Sequence, residues 1–202
     1  MRLTVIDYDM GNLRSLANAL RHIGAEVEIV ERGEELAQAG HVILPGVGAF
    51  GASMANLRER GFDEALDRHR EAGRPLMGIC LGFQVLFGEG TERGTHAGLG
   101  FLQGSVDAFE TELHVPHVGW NVCRPARPHA LFAGLAPEEH MYFVHSYHPR
   151  AVRPEDTLAT SDYGSEFVCA VARNNVVGTQ FHPERSGESG LRMLTNFLAW
   201  RP

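Results

Sequence analysis

Cys80, His182 and Glu184 are the residues of this sequence whose types and spacing suggest chemistry. Cys80 is the centre of Gly78-Ile79-Cys80-Leu81-Gly82, between an apolar run and a helical pattern. Glycines on both sides of a nucleophile permit a sharp strand-to-helix turn, so the apex side chain is presented outward, as in a nucleophile elbow. A thiol at a helix start also faces unpaired N–H groups and the positive end of the dipole, both of which favour the thiolate. By itself a free cysteine is as often a small buried hydrophobe. That is the preferred reading of Cys123 and Cys169, which lack glycine flanks and a following helix.

A thiolate attacking an amide needs a proton donor for the leaving nitrogen. Among 11 histidines, His182 is the best placed because Glu184 lies two residues on, across Pro183. On an extended segment such residues point the same way, so the carboxylate can hold the imidazole and stabilise its charged form. An isolated His-Pro-Glu is usually a surface loop; with an upstream cysteine elbow it reads as a base and its orienting group. The tetrahedral intermediate needs N–H donors. The amides of Val47, within Pro45-Gly46-Val47-Gly48, and of Leu81 are the expected sources.

The elements that must position these groups alternate. Leu3 to Ile6, Glu26 to Val30, His41 to Leu44 and Pro75 to Ile79 read as strands. Between them lie a helix begun by Asn12 as N-cap and carrying Leu13, Leu16, Ala17, Leu20 and Ile23, and a polar helical stretch from Ser53 to Ala72. Leu81 to Phe87 is expected to be the helix after the elbow. This pattern predicts a mostly parallel sheet flanked by helices, with ligands beyond the carboxyl ends of its strands. From Gly98 onward the shorter apolar segments predict a more antiparallel half. Phe167 to Ala172 and Val176 to Phe181 are expected to form a hairpin over Arg173-Asn174-Asn175, and Ser189 to Trp200 a closing helix.

The 202 residues, 44% hydrophobic, suffice for one substantial core. A net charge of −7 and the absence of an Arg run argue against nucleic acid or an anionic membrane as partner. All 18 basic residues are arginine, a bias read here as genome composition. Three widely spaced cysteines with no C-x-x-C pair suit a reducing cytoplasm. The N-terminus lacks the features of a secretory signal, and no apolar run approaches the ~18 residues of a membrane span. A soluble cytoplasmic enzyme is the expectation.

Taken in order, Pro45-Gly46-Val47-Gly48, Gly78-Ile79-Cys80-Leu81-Gly82 and Phe181-His182-Pro183-Glu184 resemble the class I glutamine amidotransferases. More narrowly, Asp7-Tyr8-Asp9-Met10-Gly11-Asn12, Pro116-His117-Val118-Gly119-Trp120-Asn121 and Tyr142-Phe143-Val144-His145-Ser146-Tyr147 are similar to segments of the glutaminase subunits of imidazole glycerol phosphate synthases. The resemblance covers essentially the whole chain. It implies a flavodoxin-like α/β fold. No internal repeat, low-complexity tract or linker divides the sequence, so a single domain, 1–202, is expected, with no cofactor and no metal. It also implies hydrolysis of glutamine to glutamate and ammonia by a Cys80, His182, Glu184 triad. The ammonia would pass to a (β/α)8 cyclase subunit, the partner in a heterodimer. That partner makes imidazole glycerol phosphate and aminoimidazole carboxamide ribonucleotide in histidine biosynthesis.

By motif position, Gly48, Gln84, Glu92, Ser146 and Tyr147 would hold the substrate glutamine. Asn12, His117, Trp120, Asn121, Tyr142 and Arg185 would face the cyclase, with plain core as the alternative for Trp120. Val118 stands where this family commonly has Met, and Arg185 where Lys is common, which is not a neutral exchange at a specific ion pair. Two other readings stay open: the glutaminase subunit of another amidotransferase, and a non-catalytic flavodoxin-like regulatory subunit.

Overall fold

The computed structural model describes residues 2–202. Its first half runs β1 (Arg2–Ile6), α1 (Leu13–His22), β2 (Glu26–Val30), β3 (His41–Leu44), α2 (Phe50–Glu59), α3 (Phe62–Glu71), β4 (Leu76–Ile79) and α4 (Leu81–Gln84). Then come β5 (Phe87–Gly90), β6 (His96–Ala97), β7 (Leu102–Ala108), β8 (His117–Pro125), β9 (Glu139–His145) and β10 (Tyr147–Arg150). The chain closes with β11 (Thr157–Asp162), β12 (Glu166–Arg173), β13 (Val176–Thr179) and α5 (Gly187–Ala199).

Nine strands form one sheet in the order β2-β1-β3-β4-β13-β12-β11-β8-β9. The neighbours from β2 to β13 are parallel, and those from β13 to β9 antiparallel. Apart from the edge strand β2, the parallel strands are buried on both faces, and their residues alternate between two apolar layers. Leu3, Val5, Ile43, Met77 and Ile79 pack with Leu16 and Leu20 of α1 and Met193, Leu194 and Phe197 of α5. Ile6, Val42, Leu44 and Leu76 pack on the other side with Met54 and Leu57 of α2 and Phe62 and Leu66 of α3. A four-stranded second sheet, β10-β7-β5-β6, lies beyond α4.

The expected α/β architecture with an antiparallel C-terminal half is therefore present, and three local expectations change. The helical stretch from Ser53 to Ala72 is two helices, broken at Gly61, whose φ of 70° leaves the helical region. The helix expected from Leu81 to Phe87 is one turn long, and Phe87 begins β5, pairing with Leu102. Val85, Leu86 and Phe87 are all buried. A run apolar on every side has no amphipathic period to specify helix, so the second sheet decides its conformation. Asn12 stands at the N-cap position of α1, but its side chain makes no capping hydrogen bond.

The hairpin of β12 and β13 turns at Asn174, with φ of 52°, in the left-handed region that asparagine tolerates. No helix among the described residues is long and apolar enough to cross a membrane.

Candidate active site

The site is built where β4 and β13 end side by side. Their ends lie 100 positions apart by numbering, roughly half the chain, yet they pair in parallel with Ile79 opposite Thr179. The Cys80 amide donates to the Thr179 carbonyl at 2.8 Å, carrying the pairing one residue further. Cys80 then takes φ 55° and ψ −111°, a strained backbone for a residue with a side chain, and α4 starts at once. The glycines permit this. A Cβ on Gly82 would collide with the Leu44 carbonyl, and one on Gly78 with the Gly82 carbonyl. The turn is thus packed backbone to backbone against β3.

The residues after β13 lead into the His-Pro-Glu segment. His182 is extended, and Pro183–Arg185 forms a 3-10 turn in place of the continuous extended segment expected. The turn still brings the two side chains together: His182 Nδ1 and Glu184 Oε1 are 2.7 Å apart. The loop is tied to β9, with the His182 amide donating to the Tyr142 carbonyl at 2.9 Å and Ser186 Oγ donating to the His182 carbonyl at 2.6 Å.

Nε2 of His182 is buried with no hydrogen-bond partner of normal length, and it lies within electrostatic reach of Cys80. Burial opposes the imidazolium, but its interactions with Cys80 and its hydrogen bond and ion pair with Glu184 outweigh it and push the His182 pKa up to about 10. The arrangement therefore favours the imidazolium beside the Cys80 sulfur.

Cys80 opens on a pocket of about 270 Å³. Its walls include the expected oxyanion residues Val47 and Leu81 and all five expected substrate residues, Gly48, Gln84, Glu92, Ser146 and Tyr147. Two of these have duties in the fold as well. Glu92 accepts the Phe50 amide at 2.9 Å, at the start of α2. Gln84 donates through Nε2 to the Tyr147 carbonyl at 2.9 Å and to Gln180 Oε1 at 3.0 Å, leaving its own Oε1 as the free acceptor.

Neither oxyanion donor faces a substrate in this conformation. The Val47 amide donates to the Met10 carbonyl at 2.7 Å, and the Leu81 amide to the Gly46 carbonyl at 3.3 Å.

Of the residues expected at a partner surface, Trp120 is 56% exposed on β8, with its indole edge-on to Tyr142 of β9 at 6.1 Å. The Arg185 guanidinium lies 4.1 Å from the Tyr142 ring centroid. Val118, also on β8, is 55% exposed, and Asn12 is exposed on the loop before α1. Trp120 is thus no core residue. His117 and Asn121 depart from the expectation. His117 is only 3% exposed, and the half-buried Asn121 spends its side-chain hydrogen bonds on His117, the Asp162 carbonyl and the Val122 amide. They support the hairpin from behind.

The tautomers of this network follow from its end. Tyr147 offers only a carbonyl, so His145 Nδ1 donates to it at 2.9 Å, and His145 Nε2 accepts from His117 Nδ1 at 3.0 Å. His117 Nε2 then accepts from Asn121 Nδ2 at 3.2 Å. Both histidines must be neutral for the chain to close. Burial lowers the pKa of His117 to about 4 and that of His145 to about 3. His69 on α3, buried and bonded through Nε2 to the Pro75 carbonyl, is lowered by burial to about 4 as well.

A histidine with a depressed folded pKa takes up its proton first in the unfolded chain. Its stabilising contribution is complete above the unfolded value near 6.5 and is lost as pH falls towards the folded one. Each of the three contributes up to ~1.4 kcal/mol per pH unit across that window. Thermal unfolding is therefore expected to fall by about 5 °C or more between pH 7 and 5, before ordinary carboxylates protonate. A flat melting temperature over that range, read by circular dichroism, would contradict the neutral assignment.

Sequence reasoning missed four contributors. Gln180, two residues before His182, has its Nε2 3.9 Å from Cys80 Sγ, and the Val144 carbonyl of β9 accepts the thiol at 3.8 Å. Tyr8 donates to the Pro45 carbonyl at 2.8 Å and so holds the oxyanion loop, while Met10 supplies the carbonyl that occupies the Val47 amide. Tyr8, Met10 and Val144 lie within segments that carry the resemblance, and Gln180 lies two residues before His182, but nothing in the sequence pointed to these contacts. Cys123 and Cys169 lie in the core, their sulfurs 3.6 Å apart.

Residues 4–200 match the profile of the family described as glutamine amidotransferase class-I. The imidazole glycerol phosphate synthase subunit HisH of Symbiobacterium thermophilum is 46% identical over 196 residues, covering 97% of this chain and 92% of that protein. The protein of the same description from Caulobacter vibrioides is 45% identical over 210 residues, covering 99% of each. Among solved structures, PurLQS from Thermotoga maritima superposes with a TM-score of 0.78 at 22% identity, over 98% of this chain and 97% of that one. A crystal structure described as glutamine amidotransferase gives 0.77 at 23%, over 97% of both. At such identities the two structures bear on the fold alone.

Proposed function

Because this chain belongs to the class I glutamine amidotransferase family, we infer that it releases ammonia from glutamine at Cys80 and passes it to a partner subunit in histidine biosynthesis. The observation that carries the site assignment is the meeting of two strand ends. Cys80 stands on a strained elbow after β4, and His182, clamped to Glu184 at 2.7 Å, follows β13 beside it.

In this reading His182 Nε2 takes the Cys80 proton, and the thiolate attacks the carbon of the substrate's side-chain amide. The carbonyl electrons move to oxygen, to be stabilised by the Val47 and Leu81 amides once these face the pocket. As the carbon–nitrogen bond breaks, the imidazolium returns its proton to nitrogen and ammonia leaves. Water, deprotonated by His182, then attacks the thioester; glutamate departs and Cys80 recovers its proton. Glu184 holds the imidazole in the tautomer that keeps Nε2 towards the sulfur. Glu92, Ser146, Tyr147 and the free Oε1 of Gln84 supply polar partners for the amino-acid end of glutamine, and Gly48 leaves room beside the loop.

The whole of 1–202 acts as one domain, since β13 from the C-terminal half completes the parallel sheet begun at the N-terminus. The near full-length similarity to proteins named as imidazole glycerol phosphate synthase subunits supports a (β/α)8 cyclase as the partner. Trp120, Tyr142, Arg185 and Asn12, with Val118, form the surface proposed to receive it. This surface adjoins the site, because the Val144 carbonyl that accepts the thiol belongs to the same hairpin.

The test is to combine the chain with a candidate cyclase and its ribonucleotide substrate and to assay imidazole glycerol phosphate with glutamine as the nitrogen source. Product is expected only with both subunits present. Glutamate release coupled instead to the synthase partner of a different amidotransferase would favour the alternative assignment.

A further inference from the structure

Gln180 takes no part in the mechanism above, yet it is fully buried and its carboxamide lies between the Gln84 side chain and the nucleophile. Its backbone is held by an amide hydrogen bond to the Cys169 carbonyl at 2.8 Å, so the side chain leaves from a fixed point on the sheet.

Which end of this carboxamide faces the sulfur follows from its neighbours. The Tyr147 carbonyl can only accept, so the atom of Gln84 that approaches it at 2.9 Å is the amide nitrogen. That same nitrogen approaches Gln180 at 3.0 Å and must meet an acceptor there, which makes the contacting atom of Gln180 its oxygen. The NH2 group of Gln180 is then left facing Cys80 Sγ, at 3.9 Å. A backbone carbonyl thus sets the direction of two successive amides, and the chain ends on the nucleophile with a donor.

The sulfur has one neighbour suited to each of its protonation states. As a thiol it donates to the Val144 carbonyl at 3.8 Å. As a thiolate it has no hydrogen for that carbonyl, and an N–H donor becomes its better partner, since hydrogen bonds to an ionised acceptor are the stronger ones.

We propose that Gln180 is a positioning residue that donates to the Cys80 thiolate, drawing the sulfur from the Val144 carbonyl and holding it for attack, while its oxygen orients Gln84 in the pocket wall. This rests on Cys80 being the nucleophile. The other titratable groups around the sulfur come from every side of the pocket: His182 with Glu184 behind it, His145 kept neutral by burial, Glu92 across the cavity and Tyr8, whose hydroxyl burial keeps protonated.

The experiment follows the alkylation of Cys80 by iodoacetamide against pH in the full-length chain, with Cys80→Ala giving the background of the two buried thiols. Gln180→Met keeps length and volume but has no N–H. Its alkylation profile is expected to move up by about one pH unit, roughly tenfold slower reaction at neutral pH, with kcat for glutamine falling by about as much. Gln180→Glu, of the same shape, should move it at least as far. A folded Gln180→Met with the wild-type profile overturns the proposal.

Should the variants not fold, 15N-labelled wild-type protein answers the same question. The Gln180 side-chain amide resonance is expected to titrate with Cys80 and to stop doing so in Cys80→Ala; a resonance indifferent to the thiol sinks the idea. Glutamine hydrolysis that survives Cys80→Ala overturns the nucleophile itself, whereas an inactive Cys80→Ala beside an unmoved Gln180→Met profile overturns only the role of Gln180.

Discussion

Cys80→Ala is expected to lower glutamine-dependent glutamate release by about four orders of magnitude or more, on the scale seen when a triad nucleophile is removed. No other group can take its place. Cys123 and Cys169 are fully buried in the core, away from the pocket, and His182 has no second nucleophile beside its Nε2. Alanine accommodates the elbow without adding volume, so the loss should leave the melting temperature near that of the wild type. In the assembled complex, synthesis from added ammonia should persist, because the variant changes only the source of nitrogen. Two assays side by side, one with glutamine and one with an ammonium salt, check both halves. Glutamate still produced by purified Cys80→Ala would remove Cys80 from the mechanism.

Glutamine hydrolysis by the isolated chain is expected to be slow and to rise by a factor of about 10² or more when the proposed cyclase partner and its nucleotide ligand bind, the scale of a missing oxyanion donor. The geometry supplies the reason. The Val47 nitrogen and the Gly46 carbonyl belong to one peptide unit. Its N–H is bonded to Met10 and its oxygen receives the Leu81 amide. One rotation of that peptide would break both bonds together and free both donors.

The unit is suited to two positions, since Val47 and Gly48 are exposed and Gly48 has a φ of 104°. Gly46 itself is enclosed: a Cβ there would press on the Tyr8 hydroxyl at 2.5 Å and the Gly82 nitrogen at 2.7 Å. A partner that favours the turned peptide shifts the population only by its differential affinity for that state. Glutamate release measured with and without the cyclase and its ligand tests this, and equal rates would sink it.

Much of the site was legible because its parts are local. A glycine-flanked cysteine between a strand and a helix needs only neighbours in sequence to become an elbow, and Glu184 reaches His182 through a single proline. The inner parallel strands were readable for a related reason: buried on both faces, they appear as short, mostly apolar runs. The same property misled at Val85 to Phe87, where an apolar run without a polar face fits helix or strand equally and the second sheet chose strand. His117 and Asn121 were misplaced because alternation along β8 sends one side chain inward and the next outward, and the strand's register against β9 decides which.

Local sequence, then, determined the chemistry on offer: a presented thiol, a histidine with its carboxylate, and a glycine loop rich in possible donors. Tertiary structure decided that these act together. Only the insertion of β13 beside β4 brings residues near 80 and 182 to one pair of strand ends, a pairing of distant segments that no local pattern encodes. It also placed Gln180 beside the sulfur and committed the Val47 and Leu81 amides to carbonyls, because hydrogen bonds between remote backbone groups exist only once the chain has closed on itself.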